Sequence, residues 1–398
     1  MTDVQFAGKT DFISELILDP DIRFQRPMTD IGNIKAVFLT GATGLLGTYL
    51  LDELLHTTQA DIYCLCRADD AASAYARLKD HLKFHALWNE KFSSRIIPIA
   101  GDLSKQLLGL SENQFKELAG QSDIIYHSGA HVNFARPYET LRPTNVFGTH
   151  EVLRLASLVR TKPVHFISSM AVFFTRSYSK DDHVLETDLP EYNPDMKGGY
   201  KQSKWVAERL IMTAQERGLP ACIYRPVRVL GHSKTGDIIN FNDLLCKFIK
   251  VCIELKKYPA LDTKLDFVPV DYVSRTVVHL SQQKESFGKA FHFVNRHPIT
   301  WKAFFGEIRK LGYLLEEVSY ESWLEELRDM ASQHPDNATY SSMVFTLMAP
   351  IFLFAIKPTF DDTQTEQGVS GTSISCPRID SELISIYISY LKGCCFIS

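Results

Sequence analysis

VFLTGATGLLGTYLLDELL, running from Val37 to Leu55, starts as an apolar strand, breaks at three evenly spaced glycines and restarts as a helix. The glycines are Gly41, Gly44 and Gly47, and the helical spacing is carried by Leu46, Leu50, Leu51, Leu54 and Leu55. A loop that must turn sharply, let a pyrophosphate approach its backbone and seat the next helix on a sheet is obstructed at each step by a side chain. The amino terminus of that helix offers unpaired N–H groups and a partial positive charge to phosphates. The stretch predicts a dinucleotide-binding turn.

Outward from it, the runs KAVFLT, DIYCLCR, RIIPIAG, DIIYHSG, PVHFISS and ACIYRP alternate with helical segments near 45–57, 71–86, 112–119, 138–159 and 201–217. Such runs are apolar almost throughout because helices cover both faces of a parallel sheet. AFHFVN, from Ala290 to Asn295, offers a seventh strand. Between Gly231 and Asp262, and after Pro298, helical patterns such as FNDLLCKFIKVCIELKK and ESWLEELRDMASQ replace the strand rhythm. The expected fold class is α/β: a Rossmann doubly wound parallel sheet with a smaller, mostly helical C-terminal substrate lobe. Residues 1–30 are expected as an amino-terminal helix and linker, and 31–300 as the nucleotide-binding domain, with 233–262 contributing to the substrate lobe. Residues 301–398 complete that lobe. The Thr-, Ser-, Gly- and Gln-rich stretch from Asp361 to Ser375 reads as a mobile loop.

The 398 residues are 45% hydrophobic, enough for a large core. A net charge of −4, with 43 basic residues scattered among 47 acidic ones, lacks the basic footprint that nucleic acid demands. The first residues show no basic segment leading into an apolar core and cleavage site, so no secretory signal is read and a cytoplasmic protein is expected. MVFTLMAPIFLFAI, from Met343 to Ile356, is the most lipid-like segment, but it falls short of the about 20 residues that span a bilayer and Pro350 interrupts it. A buried helix pair or a substrate-channel wall is expected there, and no membrane partner. The eight cysteines include no Cys-x-x-Cys and read as structural thiols of a reducing compartment.

The second strand bears on which dinucleotide binds. NAD sites place an acid at that strand's carboxyl end, about 20 residues past the glycines, to bond the ribose hydroxyls. Asp61 has the separation but precedes IYCLC, at the wrong end; at the right end stands Arg67, whose planar guanidinium suits a 2′-phosphate. NADPH is therefore the expected cofactor. The competing reading leaves Arg67 solvated beside Asp69 or Asp70. Asp102, closing the third strand, is expected near the adenine, and HSGA, His127 to Ala130, near the ribose. His127 and His131 have a metal-like spacing but fall on a strand exit without an evident third ligand, so no metal is expected.

GGYKQSKWVAERL puts Tyr200 and Lys204 four apart on one helix face. A phenol of pKa about 10 is a poor acid or base at neutral pH, and a neighbouring ammonium, helped by an oxidised nicotinamide, stabilises its phenolate. Lys204 can also hold the nicotinamide ribose, while Tyr200 donates to an oxygen that has just accepted a hydride. The fifth strand ends in Ser168 and Ser169. Alternation sends them to opposite sides, so one hydroxyl faces the substrate oxygen, and the spacing does not choose between them. Asn145, in PTNVFGTHEVL, reads equally as a bridge between backbone and water or as a buried, satisfied amide.

In this order, TGATGLLGTYLL, HSGAHVNF, NVFGTHEVLRLA, FISSMAV, GGYKQSKWVAE, YRPVRVLGHSKTG and DFVPVDYV resemble the thioester reductase domains that end some nonribosomal peptide synthetases and carboxylic acid reductases. These belong to the extended short-chain dehydrogenase/reductases. The likeness runs from ELILDPDI, near Leu16, to the terminal CPRIDSELISIYISYL. It implies NADPH-dependent release of an acyl or peptidyl thioester from a phosphopantetheinylated carrier protein as an aldehyde, or onward to the alcohol, by a monomer or part of a larger synthetase. It puts the catalytic group on Ser169, Tyr200 and Lys204. The cofactor contacts it implies are Thr40, Gly41, Thr43, Gly44, Leu45, Leu46, Gly47, Arg67, Asp102, Leu103, Ser128, Gly129, Ala130, Asn145, Tyr200, Lys204, Arg225, Pro226 and Val229. The chain carries no evident DSL-type attachment serine, so the carrier is expected upstream or separate. Val227 and His232 stand where the family usually has Gly and Asp, near the expected substrate mouth, which bears on acyl preference. A fatty acyl-CoA reductase, an NDP-sugar epimerase or dehydratase, and a regulator that binds NADPH without chemistry are the competing readings. QSKWVAE and GHSKTG speak against the sugar enzymes.

Overall fold

The computed structural model describes residues 12, 14–174, 181–193, 196–238, 241, 243–347 and 358–398. The apolar runs form strands β1 (Ala36–Thr40), β2 (Asp61–Cys66), β3 (Ile96–Ala100), β4 (Ile124–His127), β5 (Val164–Ile167), β6 (Ala221–Pro226) and β7 (Ala290–Phe293). They make one sheet in the order β7-β6-β5-β4-β1-β2-β3, with every pair parallel. Every residue of β1, β4, β5 and β6 is buried, as a sheet covered on both faces requires. The strand order reverses between β1 and β4, where diverging crossovers open the crevice in which such sheets bind ligands.

The periodic segments fold as α1 (Leu45–Thr57), α2 (Ala71–Phe84), α3 (Glu112–Gln121), α4 (Tyr138–Arg142), α5 (Gly148–Ser157) and α6 (Gly199–Glu216). The later helices are α7 (Leu244–Leu255), α8 (Val270–Ser281), α9 (Trp301–Lys310), α10 (Tyr320–Gln333), α11 (Ala338–Leu347), α12 (Thr363–Val369) and α13 (Ser381–Gly393). One core joins the sheet to α1, α2 and α8, and another joins it to α3, α5 and α6. A third is built from α7, α9, α10 and α13 around Phe248, Trp301, Trp323 and Tyr387, with Phe248 edge-on to Trp323 at 5.2 Å and to Trp301 at 5.3 Å.

Several expectations are corrected. The one helix expected over 138–159 is interrupted by a π turn, Pro143–Phe147, between α4 and α5, where the Gly148 N–H donates five residues back to Pro143. Proline lacks the N–H that an unbroken ladder needs. The presumed mobile loop holds α12. Its amino terminus is seated on the buried Glu186 carboxylate, which accepts from Gln364 N, Thr365 N (3.2 Å), Thr365 Oγ1 (2.7 Å) and His292 N of β7 (2.9 Å). Of the amino-terminal segment expected to hold a helix, residues 1–11 and 13 fall outside the described residues, and the described part carries a 3-10 turn, Ser14–Leu16. That segment is held by the Arg217 guanidinium, which donates to Asp19 O at 2.7 Å and Leu18 O at 2.8 Å.

Of the lipid-like segment, Met343 lies in the third core, and 348–356 fall outside the described residues. Among the described residues no helix is long and apolar enough to cross a membrane. All eight cysteines are free.

Candidate active site

Gly41 sits at φ +80°, and a Cβ there would lie 2.7 Å from both the N and Cα of Gly129. The exits of β1 and β4 thus touch backbone to backbone. A Cβ on Gly47 would fall 1.9 Å from Gly41 O, so α1 seats directly on the loop. Gly44 begins α1 without a side-chain cap, leaving the first-turn N–H groups for an anion. The exposed Arg67 follows β2 and makes no ion pair among the described residues. Asp70, its expected competitor, instead caps α2 through Ser73 N at 2.7 Å.

A cavity of about 760 Å³ runs from this loop past the ends of β2 to β5 to Tyr200 and on to Asp243. Of the expected site residues, Gly41, Thr43, Gly44, Leu45, Leu46, Gly47, Arg67, Asp102, Leu103, Ser128, Gly129, Ala130, Ser169, Tyr200, Lys204, Pro226 and Val229 line it. The uncapped helix start, the glycine cradle and the guanidinium fit a nicotinamide dinucleotide. Thr40, Asn145 and Arg225 stand behind the wall. Thr40 Oγ1 bonds His127 Nδ1 at 2.8 Å and accepts from Gly129 N at 2.9 Å, pinning the two loops together. Burial pushes His127 down to about 3, so it is a neutral structural pin. Asn145 is the satisfied amide: it donates to Ser203 Oγ (2.9 Å) and His131 O (3.1 Å) and accepts from His131 N (2.7 Å). Arg225 is fully buried and pairs with Glu208 at 2.8 Å.

Sequence reasoning missed Arg77, His81, Phe134, Phe174, Arg228 and Asp243, which also line the cavity. Arg77 Nη1 donates to the backbone carbonyl of Arg67 at 2.8 Å, bringing a second guanidinium to the same wall; a basic residue on the polar face of α2 was the available signal. Of the two departures from the family pattern, Val227 lines the cavity. His232 is turned against Tyr49, with ring centroids 5.4 Å apart.

The catalytic candidates converge because α6 starts under tight constraint. Gly198 has φ +95°, and a Cβ on Gly199 would lie 2.5 Å from the backbone of Arg136, Pro137 and Tyr138. The first turn of α6 is therefore pressed onto the start of α4, with Tyr200 on the cavity wall. Burial pushes the pKa of its hydroxyl up to about 12 while the neighbouring Ser169 draws it down, and Ser169 Oγ accepts from Ala171 N at 3.2 Å. Phe134 stands edge-on to the ring at 5.0 Å. One turn on, Lys204 Nζ donates to Ile167 O at 2.5 Å and lies 4.2 Å above the Phe166 ring. Burial lowers its pKa to about 7 and the Glu208 carboxylate opposes the fall. Ser168 Oγ donates instead to Glu208. Both serines line the cavity, and of the two hydroxyls that of Ser168 is engaged by Glu208.

Residues 39–277 match the NAD-binding family described as Male sterility protein. The chain belongs to this family. It is 38% identical over 377 residues to a component of the linear gramicidin synthase of Brevibacillus parabrevis, covering 94% of this chain and 7% of that protein. It is 37% identical over 386 residues to L-2-aminoadipate reductase of Saccharomyces cerevisiae, covering 91% and 28% respectively. The chain therefore spans less than a third of either curated relative. The crystal structure of the terminal R domain from the myxalamid PKS-NRPS biosynthetic pathway matches with a TM-score of 0.91 at 39% identity, over 97% of this chain and 98% of that one. The chain thus carries the domain of an NAD-binding family and is similar over nearly its whole length to the terminal R domain of a PKS-NRPS pathway.

Proposed function

We propose that this reductase releases an acyl or peptidyl chain from the phosphopantetheine arm of a carrier protein as an aldehyde, using NADPH. The carrying observation is that Ser169, Tyr200 and Lys204 line one cavity with the glycine cradle. NADPH, when bound, supplies the hydride that reduces the thioester carbonyl. The alkoxide so formed is met by the hydroxyls of Ser169 and Tyr200, and Tyr200 gives it a proton. Burial alone leaves Tyr200 too weak an acid for this, so the Lys204 ammonium one turn away is needed to stabilise the phenolate. Collapse returns the proton to Tyr200 as the C–S bond breaks, the carbonyl re-forms and the pantetheine thiolate leaves. The same groups suit a second reduction of the aldehyde to the alcohol.

NADPH over NADH is supported by Arg67, with Arg77 on the same wall. A carrier-bound substrate is supported by the gramicidin synthase and the terminal R domain among the relatives. The test follows NADPH absorbance with an octanoyl chain loaded on a phosphopantetheinylated carrier protein, with octanoyl-CoA and NADH in parallel. Oxidation with the carrier substrate and a trapped aldehyde are expected. Turnover with octanoyl-CoA alone would move the assignment to an acyl-CoA reductase, and silence with both would remove the thioester reading.

A further inference from the structure

Tyr200, Lys204 and Glu208 recur every four residues on one face of α6. Each engages a different one of three consecutive residues at the end of β5. Lys204 Nζ donates to Ile167 O at 2.5 Å, Ser168 Oγ donates to Glu208, and Tyr200 lies beside Ser169 on the cavity wall. Two hydrogen bonds one helical turn apart thus register strand and helix.

The Glu208 side chain is wholly buried and both its oxygens are used. Oε1 accepts from Arg225 Nε at 3.0 Å and Nη2 at 2.8 Å, and Oε2 accepts from Ser168. The remaining Arg225 donor, Nη1, reaches Glu186 O at 3.2 Å and His292 Nε2 at 3.1 Å. His292 in turn donates from Nδ1 to Asp361 O at 2.8 Å. A buried ion pair is a poor device for stability, because desolvating two charges offsets most of their attraction. An apolar pair would fill the space as well, but it could not hold the Ser168 hydroxyl. That hydroxyl sits between the residue that holds Lys204 and the residue that faces Tyr200.

We propose that Glu208 is a positioning residue: gripped by Arg225, its carboxylate holds Ser168 and so fixes the β5 exit that aims Ser169 at Tyr200 and seats Lys204. This rests on the catalytic roles given above to Tyr200 and Lys204. A second consequence is electrostatic. The titratable and charged groups facing Lys204 are Tyr200 and Glu208 on α6 and the neutral His127 ending β4, with Arg225 of β6 beyond Glu208. Glu208 is the anion among them, so removing its charge makes Lys204 lose its proton at lower pH.

The test compares Ser168→Ala, Glu208→Gln and Tyr200→Phe with the parent chain, using NADPH and the octanoyl thioester on its carrier protein. Ser168→Ala keeps the Arg225–Glu208 pair and the fold. It is expected to lose about ten- to a hundred-fold in kcat, the effect of a misaimed catalytic group, with the KM for NADPH within about two-fold of the parent. Glu208→Gln is expected to lose at least as much in kcat, and the basic limb of its kcat–pH profile is expected to move to lower pH. Parent-like kcat in Ser168→Ala overturns the proposal, as does a Glu208→Gln protein whose loss lies in KM with the pH limb unmoved. If Glu208→Gln does not fold, Ser168→Ala decides alone. An active Tyr200→Phe would instead overturn the catalytic reading beneath it, which keeps the two failures distinct.

Discussion

Replacing Lys204 with Met is expected to abolish turnover and yet stabilise the cofactor-free protein, by an amount that depends on pH. The ammonium titrates at about 7 in the folded chain against an ordinary value of 10.5. The unfolded chain therefore binds this proton more tightly, and stability rises with pH across that window. Below pH 7 the lysine is charged in both states and folding bears the whole cost, about 5 kcal/mol at roughly 1.4 kcal/mol per pH unit. Methionine escapes that cost but leaves Ile167 O without the donor that Lys204 supplied, a loss of about 1–3 kcal/mol for a buried carbonyl. The net gain expected at pH 6.5 is thus about 2–4 kcal/mol. It should shrink by roughly 1.4 kcal/mol per unit above pH 7 and reverse before pH 10.5. Urea unfolding of both proteins at pH 6.5, 7.5, 8.5 and 9.5 reads the difference directly. A difference that is flat with pH, or a methionine variant less stable at pH 6.5, would refute the reasoning.

Tyr200→Phe is expected to lose about 10²–10⁴ in kcat while its NADPH Kd stays within about two-fold, measured by single-turnover absorbance and titration calorimetry. Gly47→Ala, whose Cβ would lie 1.9 Å from Gly41 O, is expected to lose far more NADPH affinity than Gly44→Ala, where the nearest atom is 3.3 Å away; equal losses in a binding titration would count against the cradle. Arg67→Ala is expected to lower the NADPH-over-NADH ratio of kcat/KM by about ten- to a hundred-fold, the worth of one charge-assisted contact. Its melting temperature should not move, because the exposed Arg67 side chain has no ion pair among the described residues to lose.

Where local chemistry and tertiary demand agree, the sequence is readable. The strands stand out because a strand buried on both faces, as β1, β4, β5 and β6 are, is apolar along nearly its whole length, and the flanking strands keep the same run of apolar residues. Arg67 stands out because the end of β2 on which it falls follows from direction alone. Elsewhere the deciding partner lies far along the chain. The segment 363–369 is polar and reads as a loop, but the Glu186 carboxylate, some 180 residues upstream, captures its first N–H groups and makes it α12. The π turn at Pro143–Phe147 is hidden because the apolar periodicity continues through it on both sides.

The site shows the same division. Residues that meet a ligand and residues that hold them sit in one motif and look alike in sequence. Arg225, in YRPV, carries the charge that would suit a phosphate, yet its guanidinium is spent on Glu208, Glu186 O and His292. Ser168 and Ser169 are identical in kind, and the difference between them is made by their surroundings: Glu208 of α6 takes the Ser168 hydroxyl, while that of Ser169 accepts from Ala171 N beside Tyr200. Four-residue spacing on α6 therefore carries a third member beyond the tyrosine and lysine that chemistry singles out. That member works by occupying Ser168: both serines line the cavity, and the hydroxyl bound to Glu208 is the one withdrawn from it.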